Sequence, residues 1–140
     1  MRKFKKIGIW GNTEKKSFWK LLPGLLEWSR KNSLEVFLTT RIMNNPNAKG
    51  LKNSSIETSD KFSELDFILA LGGDGTFLSL SRALGNIDTP ILGIHLGDLG
   101  FLAKVVLSDL YVRLSQVIAG DFQIEKRMLI QASILKSNKK

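Results

Sequence analysis

The feature that most constrains the fold of this chain is an apolar run that leads directly into a glycine-rich turn. Residues 66–71 (DFILAL) are apolar after the first position, and residues 72–76 (GGDGT) follow at once. An apolar run without alternation is typical of a central parallel strand that is covered on both faces. The next residues, 76–84 (TFLSLSRAL), have the apolar spacing of a helix. The sequence therefore predicts a strand, a turn and a helix within an open α/β sheet.

The rest of the chain repeats this alternation of strands and helices. Pro23-Gly24 either kinks the first helix or restarts it. Residues 43–61 are rich in Asn, Ser, Lys and Gly, and predict an exposed loop or a weakly helical excursion. The fold class is therefore α/β, with an open, mostly parallel sheet and flanking helices. The remaining predicted elements are strands at residues 4–10, 34–40 and 90–95, and helices at 17–31 and 108–118, with Ser108 as N-cap and Gly120 as stop.

The end of the chain has a different pattern. Residues 122–135 (FQIEKRMLIQASIL) alternate, with Ile124 and Ile130 on one parity and Glu125 and Arg127 on the other. Alternation with period two predicts an antiparallel strand outside the parallel sheet. No other segment of the sequence offers a visible partner for that strand.

Composition excludes several classes of function. The 140 residues carry a net charge of +8 and no cysteine, which excludes thiolate catalysis and cysteine-bound zinc. Residues 1–61 hold thirteen Lys and Arg against five Asp and Glu, whereas residues 62–140 hold eight of each. The excess of basic residues in the range 1–61 forms either a solvated face or a surface that attracts an anionic nucleotide. Aromatic residues do not interleave with it as single-strand binders require, so we expect no nucleic-acid partner.

The sequence also argues against a membrane protein. Its apolar stretches are too short to cross a bilayer, and the N-terminus lacks the apolar core of a signal peptide. We therefore expect no membrane partner and a cytoplasmic location.

The glycine turn has the chemistry of a phosphate site with one added acid. Gly72, Gly73 and Gly75 can take positive φ and carry no Cβ, so that backbone N–H groups can approach a phosphate at the start of a helix. Asp74 repels phosphate unless it accepts the proton of an attacking hydroxyl or helps to hold Mg²⁺. Alternatively it only caps the helix, a duty that Thr76 could share. The turn fits neither the GxxxxGK[ST] nor the GxGxxG pattern.

Three segments together resemble NAD kinases. GGDGT after a buried strand is similar to a signature of NAD kinases, diacylglycerol and sphingosine kinases and, more distantly, 6-phosphofructokinases. Residues 93–102 (GIHLGDLGFL) resemble the NAD kinase segment with Gly-x-Leu-Gly-Phe-Leu, and residues 125–129 (EKRML) are similar to the strand that enters the second NAD kinase domain. The resemblance covers residues 66–130 and selects the NAD kinase family.

This resemblance implies a reaction. NAD kinases transfer the γ-phosphate of ATP, or a phosphate of inorganic polyphosphate, to the 2′-hydroxyl of the NAD adenosine ribose with a divalent metal such as Mg²⁺. Asp74 would be the proton acceptor, Phe101 would pack against the adenine, and no residue is assigned as a metal ligand. The residues that the resemblance assigns to nucleotide binding are Gly72, Gly73, Gly75, Thr76, His95, Gly97 and Phe101.

It also implies that part of the family's structure is missing here. NAD kinases are longer and carry an Asn-Glu pair in a β-rich second domain, and this sequence contains no such pair. We therefore expect residues 1–120 to form the α/β nucleotide-binding domain and residues 121–140 to begin an incomplete second domain. The chain alone would be inactive, and the full-length protein a homo-oligomer. The alternatives are a diacylglycerol-type lipid kinase and an inert nucleotide-binding fragment.

Overall fold

The described part of the chain forms one parallel sheet. The computed structural model describes residues 3–56 and 59–136. Six strands pair in the order β3-β2-β1-β4-β5-β6, and every pairing is parallel. The predicted α/β class and the open parallel sheet are confirmed. The strands are β1 (Lys6–Gly11), β2 (Glu35–Thr39), β3 (Ser54–Ile56), β4 (Phe67–Gly72), β5 (Ile91–His95) and β6 (Val105–Val106).

Helices connect the strands and cover both faces of the sheet. The first helix continues through Pro23, whose side chain lies on the exposed face, so the helix neither ends nor restarts there. Proline removes one backbone donor inside a helix, and the apolar face of this one keeps it packed on the sheet. The α-helices are α1 (Lys16–Lys31), α2 (Thr40–Met43), α3 (Asp74–Leu84) and α4 (Leu110–Ala119), with short 3₁₀ turns at Pro46–Ala48, Ser59–Glu64 and Leu107–Asp109.

Strand β4 lies at the centre of the hydrophobic core. All six of its residues are buried. Leu69 and Leu71 pack into one cluster with residues of α1 and α4, whereas Ile68 and Ala70 pack into a second cluster with residues of α3. Because successive side chains point to opposite faces, only an unbroken apolar run can fill both clusters. This is why the apolar residues of β4 are consecutive and do not alternate with polar ones.

The polar segment before β4 is more ordered than its composition predicts. Within residues 43–61, the structure contains a 3₁₀ turn at Pro46–Ala48 and the edge strand β3. Strand β3 pairs in parallel with β2, with Phe37 opposite Ser54. The loop interpretation was wrong for Ser54–Ile56 because a three-residue strand is formed by main-chain pairing with an open edge, which leaves no hydrophobic pattern.

Two predictions near the end of the chain were also wrong. Helix α4 begins at Leu110 after a 3₁₀ turn, and no side chain caps it, so Ser108 is not its N-cap. Gly120 does end the helix, in the left-handed conformation. Residues 121–136 form no strand and are exposed, because no described segment pairs with them and a strand needs ladder hydrogen bonds. That residues 121–140 begin a second domain stays a prediction.

Candidate functional site

The candidate site lies where the carboxyl ends of the three central strands meet. The sheet register places Gly11 beside Leu71 and Gly72 beside His95. Two further backbone bonds join the loops beyond the strands, from Asn12 N to Leu71 O at 2.9 Å and from Leu96 N to Gly72 O at 3.0 Å. In open α/β sheets this edge is where ligands bind.

Asp74 is held by the loop that joins β5 to β6. Its Oδ2 accepts a hydrogen bond from the Phe101 N–H at 2.9 Å, and its Oδ1 accepts one from the Leu102 N–H at 3.0 Å. The Phe101 N–H and then the Leu102 N–H lower the pKa of the Asp74 carboxyl below its ordinary value of 3.8, because both stabilise the charged form. Asp74 is therefore an ionised carboxylate at neutral pH.

Asp74 does not cap helix α3. The helix begins at Asp74 itself, two residues earlier than the sequence predicts, and its N-cap is Gly73, which makes no side-chain cap bond. The Asp74 carboxylate instead reaches main-chain groups 27 and 28 positions along the chain. The interpretation of Asp74 as only a helix cap is wrong.

The glycines of the turn provide space rather than an unusual backbone. In the part of the chain that the structure describes, positive φ occurs at Gly50, Gly85 and Gly120 but not in the GGDG turn, contrary to one expectation from the sequence. A Cβ on Gly72 would lie 2.2 Å from Thr76 Oγ1, so Gly72 makes room for that side chain. Thr76 accordingly packs back onto the turn.

Gly73 and Gly75 differ from Gly72. A Cβ at either position would meet nothing within 4 Å. Their main chain faces open space at the N-terminus of α3, where backbone N–H groups and the helix dipole favour an anion. Side chains here would cover a surface that glycine leaves accessible.

The loop of residues 96–104 passes directly over Asp74. A Cβ on Gly100 would lie 2.3 Å from Asp74 Oδ1, so only glycine allows the carboxylate its present position. Beside it, Phe101 is 91% exposed and Leu99 is 70% exposed. The two side chains form a small exposed apolar patch beside Asp74, and the flat Phe101 ring has the shape to stack on another aromatic ring.

His95 is buried beneath this loop and is 2% exposed. Its Nε2 contacts the carbonyl oxygen of Ala103 and lies 3.3 Å from the Gly100 N. Both contacts are with the segment that binds Asp74, so His95 positions this segment. The Nδ1 of His95 has no hydrogen-bond partner among the described residues.

Among residues 3–56 and 59–136, no group of three or more His, Asp and Glu side chains lies close enough together to hold a metal ion. Mg²⁺ binds oxygen ligands and usually keeps several waters, so it needs few ligands from a protein. The described helices are also too short or too polar to cross a membrane.

The family of the chain follows from comparison with known proteins. The family described as "ATP-NAD kinase N-terminal domain" matches residues 7–122. The chain belongs to the NAD kinase family. The NAD kinase of Thermoanaerobacter sp. (strain X514) is 31% identical over 134 residues, which are 96% of this chain and 46% of that protein. That of Hydrogenovibrio crunogenus is 35% identical over 133 residues, 95% of this chain and 46% of that protein.

A solved structure supports the same fold. The crystal structure of yeast NADH kinase complexed with NADH superposes with a TM-score of 0.72 at 19% identity, over 86% of this chain and 40% of that chain. At this identity the likeness shows the fold. The chain spans a little under half the length of the curated NAD kinases that it matches.

The structure brings the predicted site residues to one edge of the sheet. Some of them line an open surface there, and others contact the protein itself. Asp74, Gly73 and Gly75 line the open turn, whereas Thr76 and His95 make their contacts with the protein itself. The residues that sequence reasoning missed are the Leu102 N–H, which binds Asp74, and Lys15, whose ammonium lies at Gly97. A main-chain donor leaves no signal in the sequence. Lys15 had one signal, its place just after a strand and before a helix.

Proposed function

We propose that the full-length protein is an NAD kinase that phosphorylates the 2′-hydroxyl of the adenosine ribose of NAD, with ATP or polyphosphate as donor, and forms NADP. One observation carries this proposal. Asp74 is an ionised carboxylate, held by the Phe101 and Leu102 N–H groups beside the open main chain of Gly73 and Gly75. An acid next to an anion-binding turn is the arrangement that transfer of a phosphoryl group to a hydroxyl requires.

Asp74 would accept the proton of the attacking hydroxyl. Each carboxylate oxygen has a second lone pair beyond the one that binds backbone N–H, so the ribose hydroxyl can donate to Asp74 without breaking these bonds. The lowered pKa makes Asp74 a weak base. We therefore expect the proton to move late, while the ribose oxygen bonds to the γ-phosphorus, the phosphorus–oxygen bond to ADP breaks, and the hydroxyl becomes more acidic.

The surroundings of Asp74 would hold the nucleotide. The open main chain at Gly73 and Gly75 would face phosphate oxygens, supported by the N-terminus of α3. The exposed Phe101 ring would stack on the adenine. Mg²⁺ would be bound with the phosphates of the donor, where it would neutralise part of their charge, since the described residues contain no cluster of three or more metal ligands.

The second half of the enzyme would complete the site. The chain spans 46% of the Thermoanaerobacter NAD kinase, so we expect the 140-residue chain to form no NADP on its own. We also expect the complete enzyme to be a cytoplasmic homo-oligomer, as the family resemblance implies.

The test compares a longer protein that includes the second domain with the 140-residue chain. Each is incubated with ATP and NAD, and NADP is measured with an NADP-specific dehydrogenase. We expect NADP from the longer protein alone, and a loss of ~10²-fold or more in kcat for Asp74→Asn, the range of general-base contributions. The asparagine side chain can accept only one of the two N–H bonds, so the melting temperature of the variant is measured as a control. Phosphorylation of diacylglycerol but not NAD, or full activity of Asp74→Asn, would refute the proposal.

A further inference from the structure

The N-terminus of helix α1 is unusual for a helix of its length. This helix has 16 residues, no acidic residue in its first turn and no side-chain cap bond at its N-cap, Lys15. Lys16 follows as the first helical residue. Because the N-terminus of a helix carries partial positive charge, lysines there are unfavourable and acidic or capping residues are preferred. Helix stability therefore does not explain this choice of residues, and a functional reason is expected.

Lys15 places an uncompensated charge inside the candidate site. The residue is half-buried, and its Nζ lies 3.0 Å from where a Cβ on Gly97 would be. Within residues 3–56 and 59–136 the ammonium group makes no hydrogen bond or ion pair. The neighbouring acid, Glu14, lies 3.6 Å from Arg41 instead. An ammonium group without a counter-ion is available to make a charge-assisted hydrogen bond to an anion.

A second polar group beside Lys15 is also unused. Thr13 is 7% exposed, and its hydroxyl makes no hydrogen bond to any residue in the described ranges. Only the Thr13 carbonyl is engaged, accepting from Trp19 Nε1 at 2.9 Å. The Thr13 hydroxyl is therefore free to donate a hydrogen bond to a ligand with acceptor oxygens.

Lys15 and Asp74 lie at opposite ends of one short segment of loop. Lys15 Nζ is at Gly97, Asp74 is at Gly100, and the two side chains form no ion pair with each other. A nucleotide lying across residues 97–100 would therefore meet a proton acceptor at one end and a cation at the other. Both charges remain available because neither neutralises the other.

We propose that the loop between β1 and α1 is an anion subsite in which Lys15, with Thr13, binds the phosphate groups of a nucleoside diphosphate or triphosphate. The identity of the nucleotide rests on the proposed function, but the anion subsite does not. The lack of a side chain at Gly97 leaves room for the Lys15 ammonium, since a Cβ there would lie 3.0 Å from Nζ.

The test is calorimetric titration of the 140-residue chain and its Lys15→Gln variant. The probes are tripolyphosphate, ATP, NAD and, as a ligand without phosphate, adenosine. Lys20→Gln is the matched control, because Lys20 is an exposed lysine of the same helix and its loss changes the net charge equally. We expect Lys15→Gln to weaken the phosphate-bearing probes by about tenfold or more, the effect of one charge-assisted hydrogen bond, and to leave adenosine unchanged.

The probes identify the source of the phosphate. If Lys15→Gln binds ATP and tripolyphosphate more weakly than the wild type does, the subsite belongs to the phosphoryl donor. If only the binding of NAD is weaker, the subsite belongs to the NAD diphosphate. The proposal is refuted if wild-type chain binds none of the phosphate probes, if Lys15→Gln binds them normally, or if Lys20→Gln weakens them equally. These results are independent of turnover. If the 140-residue chain binds phosphate through Lys15 but the longer protein makes no NADP, the proposed function is refuted and this subsite is retained.

Discussion

Gly100→Ala tests whether the position of Asp74 depends on the missing side chain above it. The new Cβ would lie 2.3 Å from Oδ1, 2.5 Å from Cγ and 2.6 Å from Oδ2 of Asp74. Ordinary contact begins near 3.4 Å, so the carboxylate has to move by about 1 Å. The loop itself is fixed by His95, which contacts Ala103 and Gly100, so the flexible Asp74 side chain is the part that yields.

A shift of this size lengthens both hydrogen bonds to the carboxylate beyond useful range. These bonds are 2.9 and 3.0 Å long and are the largest causes of the lowered pKa of Asp74. We expect the Asp74 pKa in Gly100→Ala to rise toward its ordinary value of 3.8, and kcat/KM of the longer enzyme to fall by ~10²-fold, as for other misplacements near 1 Å. Carboxyl ¹³C NMR titration of the 140-residue chain measures the pKa.

The matched control is Gly73→Ala, whose Cβ would meet nothing within 4 Å. This variant should keep the low Asp74 pKa, because the loop over the carboxylate is untouched. If the Asp74 pKa in Gly100→Ala were as low as in the wild type, the position of the carboxylate would not depend on the space that Gly100 leaves.

Two further predictions concern pH and the end of the chain. Because the folded-state pKa of Asp74 is lowered, its contribution to stability is fully present above about pH 3.8 and is lost as pH falls through the lowered value. The difference in urea unfolding free energy between wild type and Asp74→Asn should therefore be constant from pH 7 to 5 and become smaller below pH 3.8. If this difference becomes smaller already near pH 6, another titrating group is responsible. Removal of residues 123–140 should leave Tm within about 2 °C, since the described part of this segment is exposed, and should reduce self-association measured by light scattering, since Met128 and Ile130 are 87% and 89% exposed. A large drop in Tm would show that this segment stabilises the domain.

Much of the sheet could be predicted because its central strands are buried on both faces. β4 and β5 fill two core clusters, which demands continuous apolar sequence, and the glycines after β4 mark its end. The sequence did not predict strand β3, because a strand that pairs with the open edge of a sheet requires no apolar pattern. The alternating end of the chain led to the opposite error, since alternation describes one face of a strand but does not provide the neighbour that completes it.

The candidate site was predictable in residue type but not in its contacts. A lone acid among glycines identified Asp74 as unusual. Its partners, the Phe101 and Leu102 N–H groups, are far along the chain and belong to the main chain, so no residue type marks them. The same limit applies to Lys15, because its role depends on its closeness to Gly97, and the strands that precede these two residues, β1 and β5, are separated in the sheet by β4.

The backbone pairing of β4 with β5 has a consequence for how this enzyme family can evolve. Gly72 is paired with His95, so the acid and the amides that hold it extend from two strands locked in one register. A shift of the β4–β5 register by one residue would move Asp74 and these amides apart by about 3.3 Å, a distance that a change of side-chain rotamer could not restore. Because peptide groups maintain that alignment, substitutions elsewhere in the domain can accumulate without moving Asp74 away from the amides that hold it, provided that the two strands keep this register.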